Sequence, residues 1–176
     1  MLCGVTFFTI GHGTRPVGEL IELLRRAEVE TLVDVRRFPG SRRNPQFNQA
    51  QLAASLAEAG IDYRHAVELG GRRSNEAGAE RFSCIRIDAF RSYAARMATP
   101  AWQEALEGAL RAPAPCLMCA ETTWTRCHRR LIAELLAARR HEIVHLVRPG
   151  ETQRHRFFED SEVREGRLYL CGELVA

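Results

Sequence analysis

The chain has 176 residues, 45% hydrophobic and 27% charged, with a formal net charge of +3. That length suits one domain with a real core, and the composition excludes a disordered chain. So small a basic excess does not by itself indicate nucleic acid, and no apolar run approaches the roughly 20 residues of a membrane-spanning helix.

The start, Met1 to Ile10, is apolar but short, has no basic leader and runs into a glycine turn. It reads as a first strand rather than a signal peptide, and a cytoplasmic location is the expectation. Val5 to Ile10 is β-branched and aromatic and ends at Gly11-His12-Gly13, a strand followed by a tight turn. Thr14 is a candidate cap for a helix whose first turn holds Pro16 and whose apolar stripe is Leu20, Leu23, Leu24 and Ala27. Thr31 to Val35 is a second strand, followed by Arg36-Arg37 and a polar loop from Phe38 to Pro45. Asn48 with Gln51 resembles a capping box for a helix to Ala59, and Gly60 stops it before a third strand from Ile61 to His65.

From Leu69 to Ser83 the chain is rich in Gly and Arg, a loop long enough to be functional. Helices are expected over Asp88–Met97 and, after Thr99-Pro100, through Trp102 to Leu110. Pro115 to Ala120 is a fourth strand, a helix runs from about Thr125 to Arg140, and Ile143 to Val147 is a fifth strand. Strands alternating with helices predict right-handed βαβ units. The expected fold is an open, mostly parallel, Rossmann-like α/β sheet over residues 1–147 with helices on both faces. Residues 148–176 break the alternation; after the Pro149-Gly150 turn, Val163 to Leu170 looks like a hairpin in an extension packed on the same domain.

Such sheets form their sites outside the carboxyl ends of the strands. Strand one delivers His12 there, strand two Asp34 and Arg36, and strand four Cys119 and Glu121. The helix that follows begins with Cys127, His128 and Arg129. Four segments therefore bring thiols, imidazoles, carboxylates and guanidiniums to one edge.

These stretches resemble the DUF488 group, a domain of unknown function. The matching residues are Thr9-Ile-Gly-His12, Leu32-Val-Asp-Val-Arg36 with Pro39 and Ser41, Phe47, Gly60-Ile61 with Tyr63, and Leu69-Gly-Gly71. Phe90 with Tyr93 and Met97 continues the match, and Cys119-Ala-Glu121 and Cys127-His-Arg129 are its most distinctive part. The resemblance covers about residues 6 to 147 and implies the same fold and the same site, adding Ser41, Gly70 and Gly71 as candidate substrate-binding positions. It brings no reaction with it. The tail beyond Val147 and Arg72-Arg73 lie outside the match.

The six cysteines are 3, 84, 116, 119, 127 and 171. With no export signal and a large core they are expected to be reduced, with Cys3, Cys84 and Cys116 as buried, inert small hydrophobes. Cys127 sits at a helix N-terminus beside Arg126, His128 and Arg129, surroundings that favour a thiolate. A cysteine phosphatase loop starting at Cys119 would need arginine where Thr125 stands; Arg126 is one residue late. Cys116 and Cys119 resemble a redox pair, but residues three apart in a strand face opposite ways.

Cys119, Cys127, His128 and His12 are candidate metal ligands, although C-x7-C-H is not a zinc-finger spacing. Glu121 is the first candidate general acid or base and Asp34 the second. The bland alternatives are ion pairs, Asp34 with Arg36 or Glu121 with Arg129. His12 is read as a substrate-polarising group or a turn cap, and His65 and His145 as hydrogen-bonded structural residues. All 25 basic residues are arginine, so an arginine at the site carries weight by position and not by type.

The leading expectation is an enzyme acting on an anionic, phosphate-bearing substrate, of which a nucleotide is one form. Cys119 or Cys127 supplies the thiolate, Glu121 the acid/base group, and Arg36, Arg129 and His12 the anion clamp. The rival expectations are a nucleotide or nucleic-acid binding module, with Trp124 as a stacking platform, and a metal-binding variant built on Cys119, Cys127 and His128.

Overall fold

The apolar runs become the central strands of one sheet. A computed structural model of the chain describes residues 4–71 and 75–176. Cys3 and Arg72-Arg73 lie outside the described residues. The strands are β1 (Thr6–Gly11), β2 (Thr31–Asp34), β3 (Asp62–His65), β4 (Pro115–Cys119), β5 (Glu142–Arg148) and β6 (Glu151–Arg154). The helices are α1 (Val17–Arg26), α2 (Gln49–Glu58), α3 (Asp88–Met97), α4 (Pro100–Leu110) and α5 (Arg129–Ala138).

Strand order is β3-β2-β4-β1-β5-β6, parallel except for β6, which pairs antiparallel with β5. The order reverses around β1 and β4, so their carboxyl ends open onto the switch point where α/β sheets place their sites. All five residues of β4 are buried, as expected of a central parallel strand covered on both faces. The alternation holds: Leu117 and Cys119 join the core under α3, α4 and α5, whereas Cys116 and Met118 join the core under α1 and α2. Helices thus cover both faces, and Cys116 and Cys119 cannot act as a pair.

Two helix starts differ from expectation. Pro16, not Thr14, precedes α1, and it provides no side-chain cap. Asn48 precedes α2 but makes no capping bond, because its Oδ1 accepts the backbone N–H of Ser41 at 2.6 Å and so closes the loop after β2. The side chain serves a contact seven residues away in preference to its own helix. Thr99 caps α4 as a Thr-Pro start predicts, its Oγ1 accepting from the N–H of Trp102 at 3.4 Å.

The extension builds a second, antiparallel sheet of β7 (Ser161–Arg164), β8 (Arg167–Leu170) and β9 (Glu173–Leu174). Leu168, Leu170 and Val175 bury against the same core as α5. Cys171, in the β8–β9 turn, forms a disulfide with Cys84. This corrects the expectation of reduced thiols, and Cys84 is exposed rather than buried. The two lie 87 residues apart, so only the fold-back of the tail reveals the pair. Arg81 and Glu173 hold the same junction with an ion pair at 3.0 Å. Among the described residues no helix is long and apolar enough to cross a membrane.

Closing a loop of this length restricts the unfolded chain, so the Cys84→Ser/Cys171→Ser variant should lose about 2–5 kcal/mol of unfolding free energy in a denaturant titration. An unchanged midpoint under oxidising conditions would show that the bond does not form in solution.

Candidate functional site at the strand ends

Two clusters occupy the carboxyl edge of the sheet. The first is a brace at the end of β2. Asp34 and Arg36 are both buried. Arg36 Nε donates to Asp34 Oδ1 at 2.8 Å and Oδ2 at 3.0 Å, and its NH2 donates to Oδ2 at 2.5 Å. The same NH2 reaches the Phe47 carbonyl at 2.9 Å, and NH1 donates to Nε2 of His12 at 3.1 Å. Tyr63 donates its hydroxyl to Asp34 Oδ2 at 2.7 Å. Burial and the adjacent carboxylate push the Tyr63 pKa up, so it remains a donor. His65 donates Nε2–H to the Arg36 carbonyl at 2.7 Å, which is the structural role expected of it.

His12 belongs to this brace. Its Nε2 accepts from Arg36, so the ring proton sits on Nδ1 and goes to the Gly13 carbonyl at 2.8 Å. The ring stacks on Phe47 at 4.2 Å. Burial lowers its pKa from 6.5 to about 4, with the Arg36 charge adding to that effect and the Gly13 bond opposing it. Both ring nitrogens are engaged, and so are the Nε and both NH groups of Arg36. These two residues hold the strand ends together.

The second cluster is a triangle. Nδ1 of His128 lies 3.8 Å from the Cys119 sulfur and 3.7 Å from the Cys127 sulfur. Its Nε2–H donates to the Val35 carbonyl at 3.1 Å, which leaves Nδ1 bare and aimed at both sulfurs. The three ligand atoms lie within 4.8 Å of one another, and this set can hold a metal ion. His12 is not part of it. Relative exposures are 7% for Cys119, 2% for Cys127 and 9% for His128.

Local structure explains the convergence. Cys119 ends β4, and Cys127 is extended just before the first turn of α5, which begins at Arg129 rather than near Thr125. The N–H of Arg130 returns to the Cys127 carbonyl at 2.9 Å, which starts α5 directly after Cys127. Gly71 covers the imidazole from the loop after β3; a Cβ there would lie 2.6 Å from Nδ1.

Arg129 is only 1% exposed. Its Nε donates to the Cys127 sulfur at 3.3 Å, NH1 to the Thr9 hydroxyl at 3.3 Å, and NH2 to the Glu121 carbonyl. No carboxylate pairs with it among the described residues. Gly11 makes room for it, since a Cβ there would sit 2.0 Å from the Glu121 carbonyl oxygen and 2.8 Å from NH2. Burial pushes the Cys127 thiol up. The hydrogen bond from Cys119, the adjacent His128 ring and the Arg129 charge outweigh that and bring it well below the usual thiol range. Its hydrogen bond to Cys127, with burial, holds the Cys119 thiol well above that range.

Donor directions continue from Arg129 into the fold. Thr9 accepts from Arg129 and so donates to His145 Nδ1 at 2.7 Å. His145 then donates Nε2–H to His155 Nδ1 at 3.2 Å, and His155 Nε2 lies 3.5 Å from the buried carboxylate of Glu134. Burial lowers the His145 pKa to about 3, with further lowering from His155 and Arg129. Trp124, considered as a base-stacking platform, is stacked on His145 at 4.1 Å instead. Thr9, Val35, Glu134 and His155 carry this arrangement, and only the positions of the strand ends hinted at any of them.

The remaining candidates sit outside both clusters. The Glu121 side chain is exposed, and its carbonyl rather than its carboxylate holds Arg129. Ser41 closes a turn, its Oγ accepting the N–H of Asn44 at 3.1 Å. Gly70 lies against the Arg37 backbone, where a Cβ would approach to 2.8 Å.

Removing Asp34 leaves the Arg36 guanidinium buried without its counter-charge. Asp34→Ala should therefore cost about 3–5 kcal/mol in urea unfolding, and a loss below about 1 kcal/mol would show that the brace is dispensable. A pH effect follows from His12 and His145. Their folded pKa values lie below the unfolded value of 6.5, so the stability they confer is complete above that pH. It is lost as pH falls towards 4 and 3, because the unfolded chain takes up protons that the folded chain refuses. The thermal midpoint should therefore decline from pH 7 to pH 4; a flat profile in His12→Asn and wild type alike would contradict this.

Comparison with known proteins gives one family. No curated protein and no solved structure matches the chain significantly. A family model, Domain of unknown function DUF488, matches residues 16–136, which include both thiols of the triangle, His128 and Arg129. The chain belongs to the DUF488 family.

Proposed function

We propose that the protein is an enzyme acting on an anionic substrate, with Cys119, Cys127 and His128 as its reacting centre. The observation that carries this is the single bare nitrogen of His128, facing two sulfurs at 3.7 and 3.8 Å. A packing role does not call for an imidazole lone pair turned towards two thiols. In this reading Cys127 supplies the sulfur that meets the substrate, and His128 Nδ1 takes or returns a proton. Arg129 stabilises negative charge from a dry position, where its effect is large.

An anion suits the site because Arg129 is buried without a carboxylate partner among the described residues, and because Arg42 and Arg43 are exposed in the loop after β2. A phosphate-bearing substrate is the first form to test. The acid/base role passes from the exposed Glu121 to His128, and Asp34, Arg36 and His12 support the site without clamping the substrate.

A thermal-shift screen of phosphorylated metabolites and nucleotides tests the reading. A ligand at a hundred times its dissociation constant adds about 2.7 kcal/mol, a shift of several degrees for a chain of this size. Cys119→Ser and Cys127→Ser should abolish the shift while retaining the fold, and Cys116→Ser, on the opposite face, should keep it. A shift that survives in both site variants would replace the enzyme by a binding module in which the thiols only pack.

A further inference from the structure

The triangle poses a problem as a hydrogen-bonded group. Nδ1 of a neutral imidazole has one lone pair, yet two sulfurs face it at 3.7 and 3.8 Å. One lone pair cannot be shared well between two sulfurs. A cation in the middle would satisfy all three atoms at once.

The dimensions support a particular kind of cation. Zinc–sulfur bonds of about 2.3 Å and zinc–nitrogen bonds of about 2.0–2.1 Å at tetrahedral angles place sulfur and nitrogen about 3.6 Å apart. The observed separations exceed that by one to two tenths of an ångström. Magnesium and calcium prefer oxygen ligands, and two sulfurs with one imidazole favour a softer ion.

The surroundings are those that orient metal ligands. A ligating histidine typically donates its second nitrogen to a carbonyl or carboxylate, which fixes the tautomer. His128 does so to Val35. The Arg129 Nε–H rests on the Cys127 sulfur at 3.3 Å, a contact compatible with a coordinated sulfur. Gly71 leaves open the space beside Nδ1 that a side chain would fill.

We propose that Cys119 Sγ, Cys127 Sγ and His128 Nδ1 bind one divalent ion of the zinc class, with the fourth position left to water or to the anionic substrate. Among the described residues no further His, Cys, Asp or Glu joins the group. Three protein ligands and an open vertex are the pattern of catalytic zinc sites rather than structural ones. Two thiolates neutralise the ion and leave the Arg129 charge over, so the loaded site is positive and favours an anion at the open vertex. This inference rests on the reading of the triangle as the reacting centre and names its cofactor; with the ion bound, Cys127 and His128 serve as its ligands, and the open vertex, not the sulfur, meets the substrate.

Cobalt is the probe, because a cobalt–thiolate bond gives a charge-transfer absorption. The reduced, chelator-treated full chain should take up one equivalent of Co2+ with that band, and one equivalent of Zn2+ should remove it. Cys119→Ser, Cys127→Ser and His128→Gln should each weaken or lose the band, Gly71→Ala should perturb it, and Cys116→Ser should leave it intact. The wild-type titration does not depend on how any variant folds. No band with wild-type protein overturns the inference, and so does a band unchanged in both Cys119→Ser and Cys127→Ser. If the band is absent but Cys127→Ser still abolishes a ligand shift, the metal fails and the thiol enzyme stands. If the band is present and sensitive to the variants but no anion binds, the metal stands and the anionic substrate fails.

Discussion

Asp34 and Arg36 lie two residues apart at the end of β2, both buried, with the carboxylate held by two nitrogens of the guanidinium. Two charges taken out of water keep their geometry because the loss of either strands the other. The guanidinium also reaches Phe47 and His12, and the carboxylate accepts Tyr63. The pair therefore fixes the ends of β1, β2 and β3 and the loop between β2 and α2. Val35 stands between the two charges, and its carbonyl accepts the Nε2–H of His128. The brace thus sets the acceptor, the acceptor sets the tautomer, and the tautomer leaves Nδ1 bare before the sulfurs.

Arg129 plays the corresponding part on the other side of the triangle. Its neighbours are a sulfur, a hydroxyl and a carbonyl. A guanidinium in a dry place, paired with no carboxylate among the described residues, favours negative charge nearby, and the Cys127 sulfur is the adjacent group able to carry it. The chain of donors through Thr9, His145 and His155 ends near the carboxylate of Glu134. It fixes which nitrogen of each ring carries a proton and holds NH1 of Arg129 in register with β1. The site is supported from β2 through His128 and from β1 and β5 through Arg129.

Several of these features are legible in the order of residues alone. Alternation within β4 places Cys116 and Cys119 on opposite faces, and strand–helix alternation gives the parallel sheet and the edge at which residues gather. Cys127 falls at a helix start because a Cys-His-Arg stretch precedes the Ala- and Leu-rich run of α5. Asp34 and Arg36 are recognisable as a candidate ion pair from their spacing. Other features are not legible in this way. Asn48 looks like a helix cap, and nothing local says that its oxygen will prefer the Ser41 amide. Glu121 looks like a catalytic carboxylate, but the direction of its side chain depends on how the chain turns after β4. The pairing of Cys84 with Cys171 depends on a tail that folds back over α5.

By itself the sequence determined the fold class, both faces of the sheet, and the residue types at the strand ends, because hydrophobic period and turn residues are local properties. Only the tertiary structure decided which of those residues meet. It separated Asp34, Arg36 and His12, whose polar atoms satisfy one another, from Cys119, Cys127 and His128, which converge on a bare nitrogen. The reason is that hydrogen-bond direction and tautomer are set by partners distant in sequence, such as Val35 for His128 and Thr9 for Arg129, and no local pattern encodes them.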